Sequence, residues 1–427
     1  MNIRIASLVC VVLFTSTAID AGDADWPQWR GPNRDGKAAP QSLLQEWPDG
    51  GPPLKWSFRN AGQGYSAVSV VDGRVYTMGA RDGACYAMCI DASTGELVWE
   101  TQVSRGGTGE DYNDGWGAGP RSTPTVDGDQ VFVLSDVGTI AALDREEGNV
   151  QWSADLVGDY GGAIPKWGYS ESVLIDGDRA IVTPGGENFM IGLDRKSGKQ
   201  VWGSKGSSAE AQYVSVVKGK IGSTEFYVTA SKPGLMAFDT KSGELLFSDA
   251  ATGNDVAVIP TPILTGDKLY HTSDYGAGCT LLNLKASADG IDAKSVYHLN
   301  GKTMMNHHGG VVLVDGVIYG NTKSNGGPWM AQDLDSGETL WEEKVGRNRS
   351  GAIGYADGRL YCYNDKDGSV ILVEPSRDGW KPHGELKLPQ ETEIPRNKGA
   401  IWAHPVVANQ TLIIRDQDLV FAYDISR

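Results

Sequence analysis

The chain is short of the motifs that announce common chemistries. Its 427 residues contain no C-x-x-C pair, no C-x-x-C-H haem attachment, no H-E-x-x-H, no phosphate loop and no G-x-S-x-G elbow. Zinc-ribbon, cytochrome c, zincin, nucleotide-hydrolase and serine-hydrolase readings therefore have no anchor. Positive charge is scarce: 38 Lys and Arg stand against 54 Asp and Glu, a net charge of −16. Such a field repels phosphate backbones and anionic membrane surfaces, which argues against nucleic acid as a partner.

Long apolar runs are also missing. The run from Ile5 to Phe14 follows Arg4 and precedes the small residues Thr15, Ser16, Thr17 and Ala18. About ten residues are too few for a bilayer span, which needs roughly 20, but they suit the core of a secretory signal peptide. We expect a signal peptide over residues 1–21, cleaved after Ala18 or Ala21, and a mature chain that is periplasmic or secreted with no transmembrane segment. Cys10 has Val9 before it and Ser7 three back, which argues against lipid attachment. Beyond it lie Cys85, Cys89, Cys279 and Cys362. Cys85 and Cys89 flank "CYAMC", and four residues of extended strand span about 13 Å, too far for a disulfide. Four buried thiols are the plain expectation.

What the chain has in quantity is internal repetition. "ALDREEGNVQW" sets Asp144, Gly148 and Trp152 at four-residue intervals. The same spacing places Asp91, Gly95 and Trp99, then Asp194, Gly198 and Trp202, then Asp239, Gly243 and Phe247, then Asp333, Gly337 and Trp341. A period of roughly 45 to 50 residues marks a solenoid or propeller. Each motif ends a longer unit, such as "STPTVDGDQVFVLSDVGTIAALDREEGNVQW" from Ser122 to Trp152. Its alternating apolar positions are broken by turn formers at Asp127-Gly128, Asp136 to Gly138 and Asp144 to Gly148, which reads as four short antiparallel strands.

Comparable units begin at Ala67, Ser172, Tyr213, Pro262, Val311, Gly354 and Pro405. Eight four-stranded units predict an all-β, eight-bladed β-propeller. The Asp and Gly are expected to turn the chain between the third and fourth strands, Gly taking a positive φ. The Trp then packs over a neighbouring blade, burial worth roughly 2 to 3 kcal/mol. The last unit stops at Arg427 without a fourth strand, and "PLKWSFR" with Trp56 is unassigned. That N-terminal strand is predicted to complete blade eight. The divisions are thus a signal peptide over 1–21, an extension over 22–52 and the propeller over 53–427. Pro27 and Pro32 in the extension's "DWPQWRGPNRDG" exclude a helix interior, and Trp26 or Trp29 is expected to plug an inter-blade groove or the channel mouth.

The pattern A-x-D-x-x-T-G-x-x-x-W, repeated through about residues 53 to 427, resembles the pyrroloquinoline quinone (PQQ) repeat superfamily. Its propellers include quinoprotein alcohol dehydrogenases and the non-enzymatic outer-membrane assembly factor BamB. "DWPQWRGPNRDG", "WGYSESVLIDGD" and "NHHGGVVLVDGVIYG" are similar to exported PQQ-binding-like propellers of planctomycetes. The resemblance implies either a binding scaffold or a dehydrogenase that holds PQQ between a Trp platform and a disulfide of adjacent cysteines. In the latter, Ca²⁺ is bound by Glu and Asn, and an Asp is the base. This chain has no adjacent cysteines.

Trp116, Trp167 and Trp402 fall just before the first strand of a blade, where propeller segments approach the axis, and are the aromatic platform candidates. Arg121, His307, Arg349 and His404 occupy equivalent places and join them as candidate contacts for PQQ or another small polar ligand. Glu171 and Asn306 are the candidate Ca²⁺ ligands, and Asp255 or Glu171 the candidate base. His307 and His308, if in a strand, point to opposite faces and cannot share a metal ion. The preferred reading is an exported, monomeric, non-catalytic binding or protein-interaction scaffold, with a protein partner or a small polar ligand or glycan at the channel mouth. A PQQ- and Ca²⁺-dependent oxidoreductase is the alternative, and a carbohydrate-binding propeller the second, its glycan stacked on Trp116, Trp167 and Trp402.

Overall fold

A computed structural model of the protein describes residues 24–288 and 290–427; the expected signal peptide and Cys10 lie outside the described residues. Within them the chain forms eight four-stranded antiparallel sheets, each taking its strands in sequence order except the last. Blade one comprises β2 (Ser69–Val71), β3 (Arg74–Arg81), β4 (Ala84–Asp91) and β5 (Leu97–Arg105). Six more blades follow, ending at β29 (Pro382–Lys387).

The eighth blade joins the chain ends. β30 (Val406–Ala408), β31 (Thr411–Asp416) and β32 (Leu419–Asp424) are completed by β1 (Leu54–Phe58), which pairs antiparallel to β32 with Trp56 opposite Ala422 and Phe58 opposite Val420. The predicted closure by an N-terminal strand is thus the observed one. Strand burial follows from position in the blade. β7 (Gln130–Leu134) is buried at every residue because both its faces meet neighbouring sheets. In the outer β9 (Val150–Asp155), only Trp152 is buried.

The repeated motif is a self-complementary joint. Asp144 Oδ1 accepts from the amides of Glu146 at 3.0 Å and Glu147 at 2.9 Å, which holds the turn. Gly148 has φ 74°, and a Cβ there would stand 2.5 Å from the Trp99 ring of the preceding blade. Glycine is needed both for the backbone and for the space. The Trp99 indole donates to Arg145 O at 3.0 Å. Trp56 covers Gly95 in the same way and donates to Ala92 O at 2.8 Å, and Trp152 covers Gly198 and donates to Arg195 O at 2.7 Å. In blade five Tyr297 takes the role without a motif Trp: its ring lies over Gly337 and its hydroxyl donates to Leu334 O at 2.8 Å. Cys85, Cys89, Cys279 and Cys362 are all buried and unpaired.

The extension does more than fill a groove. Trp26 exchanges two 2.8 Å backbone hydrogen bonds with Val70 and is buried in the seam between blades eight and one. Pro27 O accepts from Val126 N at 2.8 Å. Arg34 donates to Ser172 O at 3.1 Å, to Val216 O at 2.8 Å and to Val173 O. Trp29 donates to Thr261 Oγ1 at 2.9 Å, Arg30 to Val311 O, and Ala38 N to Tyr355 O at 2.9 Å. Trp29 also packs on His404, ring centroids 4.4 Å apart. These partners sit in or beside the first, innermost strand of every blade, so the segment lies across the central channel. Leu43 and Trp47 then seal the seam between blades seven and eight.

Candidate functional site

Above this crossing segment the axis opens into a cavity of about 310 Å³. Most of its lining comes from loops that precede the first strands, with Trp29 added by the extension and Tyr275 and Lys323 by the loops between the second and third strands of blades five and six. Trp116, Trp167, Trp402, Arg121, His307 and His404 line it together. Trp402 is the centre of an aromatic cluster: His308 stacks on it at 4.1 Å and 20°, Tyr65 lies 5.1 Å away and Trp116 6.4 Å away. Trp167 packs on Tyr213 at 5.9 Å. Trp29 of the extension closes the inner end, and exposed Trp116, Val256 and Tyr275 form the rim.

The charged groups are held on the walls. Arg121 donates to Gly119 O at 3.1 Å and Gly117 O at 2.6 Å, with its guanidinium 5.6 Å from the Tyr65 and Tyr112 rings. Lys323 pairs with buried Asp274 at 2.6 Å and lies 5.0 Å from the Tyr275 ring. His307 links Ser350 Oγ at 2.9 Å through Nδ1 to the Tyr275 hydroxyl at 3.0 Å through Nε2. Burial pushes the His307 and His308 pKa values well below the usual range, helped by the Lys323 charge. Burial and the Arg30 charge bring His404 down to about 3. All three imidazoles are neutral at neutral pH, and the cavity is net positive in a chain of −16.

The remaining candidates lie elsewhere. Asp255 and Arg349 are exposed outside the cavity lining. Glu171 is wholly buried beneath Arg34, accepting from Thr183 Oγ1 at 2.7 Å and from Thr183 N; burial raises its pKa to about 7 against those bonds and the Arg34 charge. Asn306, before blade six, donates to Gly310 O and Asn321 O, both at 2.9 Å. Glu171 precedes blade three, so the two proposed Ca²⁺ ligands are not brought together. Among the described residues no three His, Cys, Asp or Glu side chains gather as a metal site. The residue set expected for a quinone with calcium therefore does not fit: among the described residues no cysteine wall, calcium pair or carboxylate base lines the cavity.

One local expectation is corrected. His307 and His308 do not point to opposite faces; both line the cavity, ring centroids 3.7 Å apart. The "NHHGG" stretch is a bend preceding β22 (Val311–Val314), so strand alternation does not govern it. Trp29 was expected as a plug at the channel mouth and does line the cavity, but sequence reasoning missed Tyr65, Tyr213, Tyr275 and Lys323.

A family model described as outer membrane protein assembly factor BamB matches residues 48–158 and 86–343. The chain belongs to the BamB-like family of PQQ-repeat propellers. Within it, the outer membrane protein assembly factor BamB of Burkholderia pseudomallei (strain K96243) is 26% identical over 369 residues, 83% of this chain and 82% of that relative. The crystal structure of BamB from Moraxella catarrhalis superposes with a TM-score of 0.61 at 17% identity, covering 87% of this chain and 97% of that one. The quinohemoprotein alcohol dehydrogenase of Comamonas testosteroni gives a TM-score of 0.62 at 11% identity over 95% and 81% of the two chains. At those identities the two structures share the fold alone with this BamB-like chain. Among its described residues no helix is long and apolar enough to cross a membrane.

Proposed function

We propose that the protein is a non-catalytic propeller scaffold that works outside the cytoplasm and docks a partner protein at the mouth of its ring. The observation that carries this reading is the cavity lining, which includes Trp116, Trp167 and Trp402 but no Asp, Glu or Cys. A general base is most effective with a pKa near the working pH. Here the three imidazoles are held neutral far below it, and Glu171, whose pKa is near 7, is sealed under Arg34. Membership of a family named for an assembly factor supports a docking role, as do the apolar rim residues Trp116, Val256 and Tyr275, exposed by about 40%. The glycan alternative has less support, because no Asp, Glu, Asn or Gln lines the cavity to accept from sugar hydroxyls.

The test has two arms on the mature protein. Incubated with PQQ and Ca²⁺, it should reduce no dye with a panel of alcohols. A photo-crosslinker at Trp116 or Tyr275 should join a discrete partner in the host cell, whereas one at exposed Val201 on the outer strand β13 (Gln200–Gly203) should not. Tryptophan quenching at one PQQ per chain with dye reduction would overturn the reading.

A further inference from the structure

Charge is sorted by side on the face that carries the mouth. Three segments are tied together beside blade seven: residues 344–350 precede its first strand, 364–368 join its second and third, and 394–402 lead from it into blade eight. The amides of Arg347 and Arg349 donate to Asp367 Oδ2 at 2.6 Å and to Asp365 Oδ1 at 2.7 Å, and Ile401 N donates to Asp365 O at 2.9 Å. On these segments Lys344, Arg347, Arg349, Lys366 and Lys398 are exposed. Lys323 and Arg396 are paired, with Asp274 and Asp416. None of the five exposed side chains forms an ion pair or donates a hydrogen bond among the described residues. With Arg396 and Asp416 included, the patch holds six cations and three carboxylates, a surplus of positive charge in a chain of −16. Across the mouth the sign reverses: Glu110, Asp114, Asp159 and Asp255 are exposed on the loops before blades two, three and five.

We propose that this patch seats an acidic, extended segment of the docked protein, with an apolar residue among its carboxylates. The inference rests on the docking reading and names the chemistry the partner brings. Ammonium and guanidinium groups only donate, and the guanidinium fork matches a carboxylate. The apolar residue is called for by continuity with the rim. A Cβ on Gly399, next to Lys398, would stand 2.6 Å from Trp116 O, so the patch adjoins an indole that is 40% exposed. Width decides against a broad anionic surface. The screening length in physiological salt is about 8 Å, so a narrow segment feels the local surplus alone. A membrane laid over the face also meets Glu110, Asp114, Asp159 and Asp255 and is repelled. On the blade-eight side the patch is bounded by Glu391 and Glu393, which flank Thr392 where it is tied to Asp418.

The test titrates the mature chain, by fluorescence anisotropy, with a labelled peptide of Glu and Asp around one Phe and with its Gln and Asn counterpart. The acidic peptide should bind saturably and at least tenfold tighter than the neutral one. Its affinity should fall at least tenfold between about 0.1 and 1 M salt, as the screening length drops from about 10 to 3 Å. Arg347→Glu with Lys366→Glu should cost at least tenfold. Lys196→Glu with Lys199→Glu, an equal change of charge in an exposed turn at the opposite face, should cost less than twofold. Lys366→Gln with Lys398→Gln should cost at least threefold, a milder check that holds even if the reversal folds poorly. Equal affinity for the two peptides, indifference to both patch variants, or tighter binding of phosphatidylglycerol vesicles than of the acidic peptide would overturn the proposal. The rim crosslinks separate it from the docking reading. A crosslinked partner that survives the Arg347 and Lys366 reversal overturns the acidic seat alone. Absence of any rim crosslink, with the titration as expected, overturns the docking reading and leaves acidic-segment binding in place.

Discussion

At the seams, Trp56, Trp99 and Trp152 each lie over the motif glycine of the next blade and donate to a carbonyl of its turn. At the axis, Trp29, Trp116, Trp167 and Trp402 come from the extension and three separate loops and meet in one cavity with no repeated partner. The seam contacts tie neighbouring units, so the same short motif can be copied around the ring. The axis joins residues far apart in sequence, and its cations Arg30 and Arg34 come from outside the repeats. Stability that is spread over copies at the seams is concentrated at the axis in a few unique side chains.

Deleting Pro53 to Arg59 should have the largest effect, because it removes β1 and opens the ring where the last seam closes. The melting temperature should fall by about 10 °C or more; a fall no greater than that from an equal deletion in the 388–394 loop would break the closure account. Single seams come next. Trp152→Ala should cost about 3–5 kcal/mol in denaturant unfolding, and Trp202→Ala less, since the Trp202 indole N–H has no acceptor among the described residues and its ring packs edge-on against Tyr227 instead of over a motif glycine. Equal losses would mean that area alone, not the joint with glycine and carbonyl, holds the blades.

The axis should be sensitive to one residue. Arg34→Met strands the Ser172, Val173 and Val216 carbonyls and should cost about 3 kcal/mol. Glu171 beneath it gives a smaller, pH-dependent effect. Its pKa is raised from 4.5 to about 7 in the fold, so its favourable contribution is complete below about pH 4.5 and is lost as pH rises through 7. Relative to wild type, Glu171→Gln should gain roughly 2–3 kcal/mol between pH 5 and 8. A difference that stays flat over that range would contradict the burial assigned to this carboxyl.

The two regions also differ in how far the sequence discloses them. Seams are written locally: an Asp, a Gly and a Trp eleven or fewer residues apart define the turn and the docking ring, and a missing fourth strand at the C-terminus points to Trp56. Tyr297 escaped that reading because blade five's last strand, β21 (Gly290–Leu299), keeps the contact without the Trp. Axis residues were found where they share a repeat position, as Trp116, Arg121, Trp167, His307, Trp402 and His404 do, and, for Trp29, where aromatics crowd the extension. Even there a one-residue step decides the outcome. Ser170 lines the cavity while Glu171 is buried behind it, and Val256 lines it while Asp255 faces solvent, in bends and loops where no strand alternation is available to tell the two apart. Tyr65, Tyr275 and Lys323 lie in segments without periodicity, and only the fold brings them to one place.

The N-terminal segment crosses the channel, with Trp29 lining the cavity from that side. Amide hydrogen exchange of residues 24–47 in the native mature protein tests it most directly. Trp26, Ala38 and Leu44 donate backbone hydrogen bonds to Val70, Tyr355 and Ile425, so their amides should exchange as slowly as those of the inner blade strands. Exchange of these amides at the rate of an exposed loop, with the blades still protected, would mean that the segment is not docked across the channel.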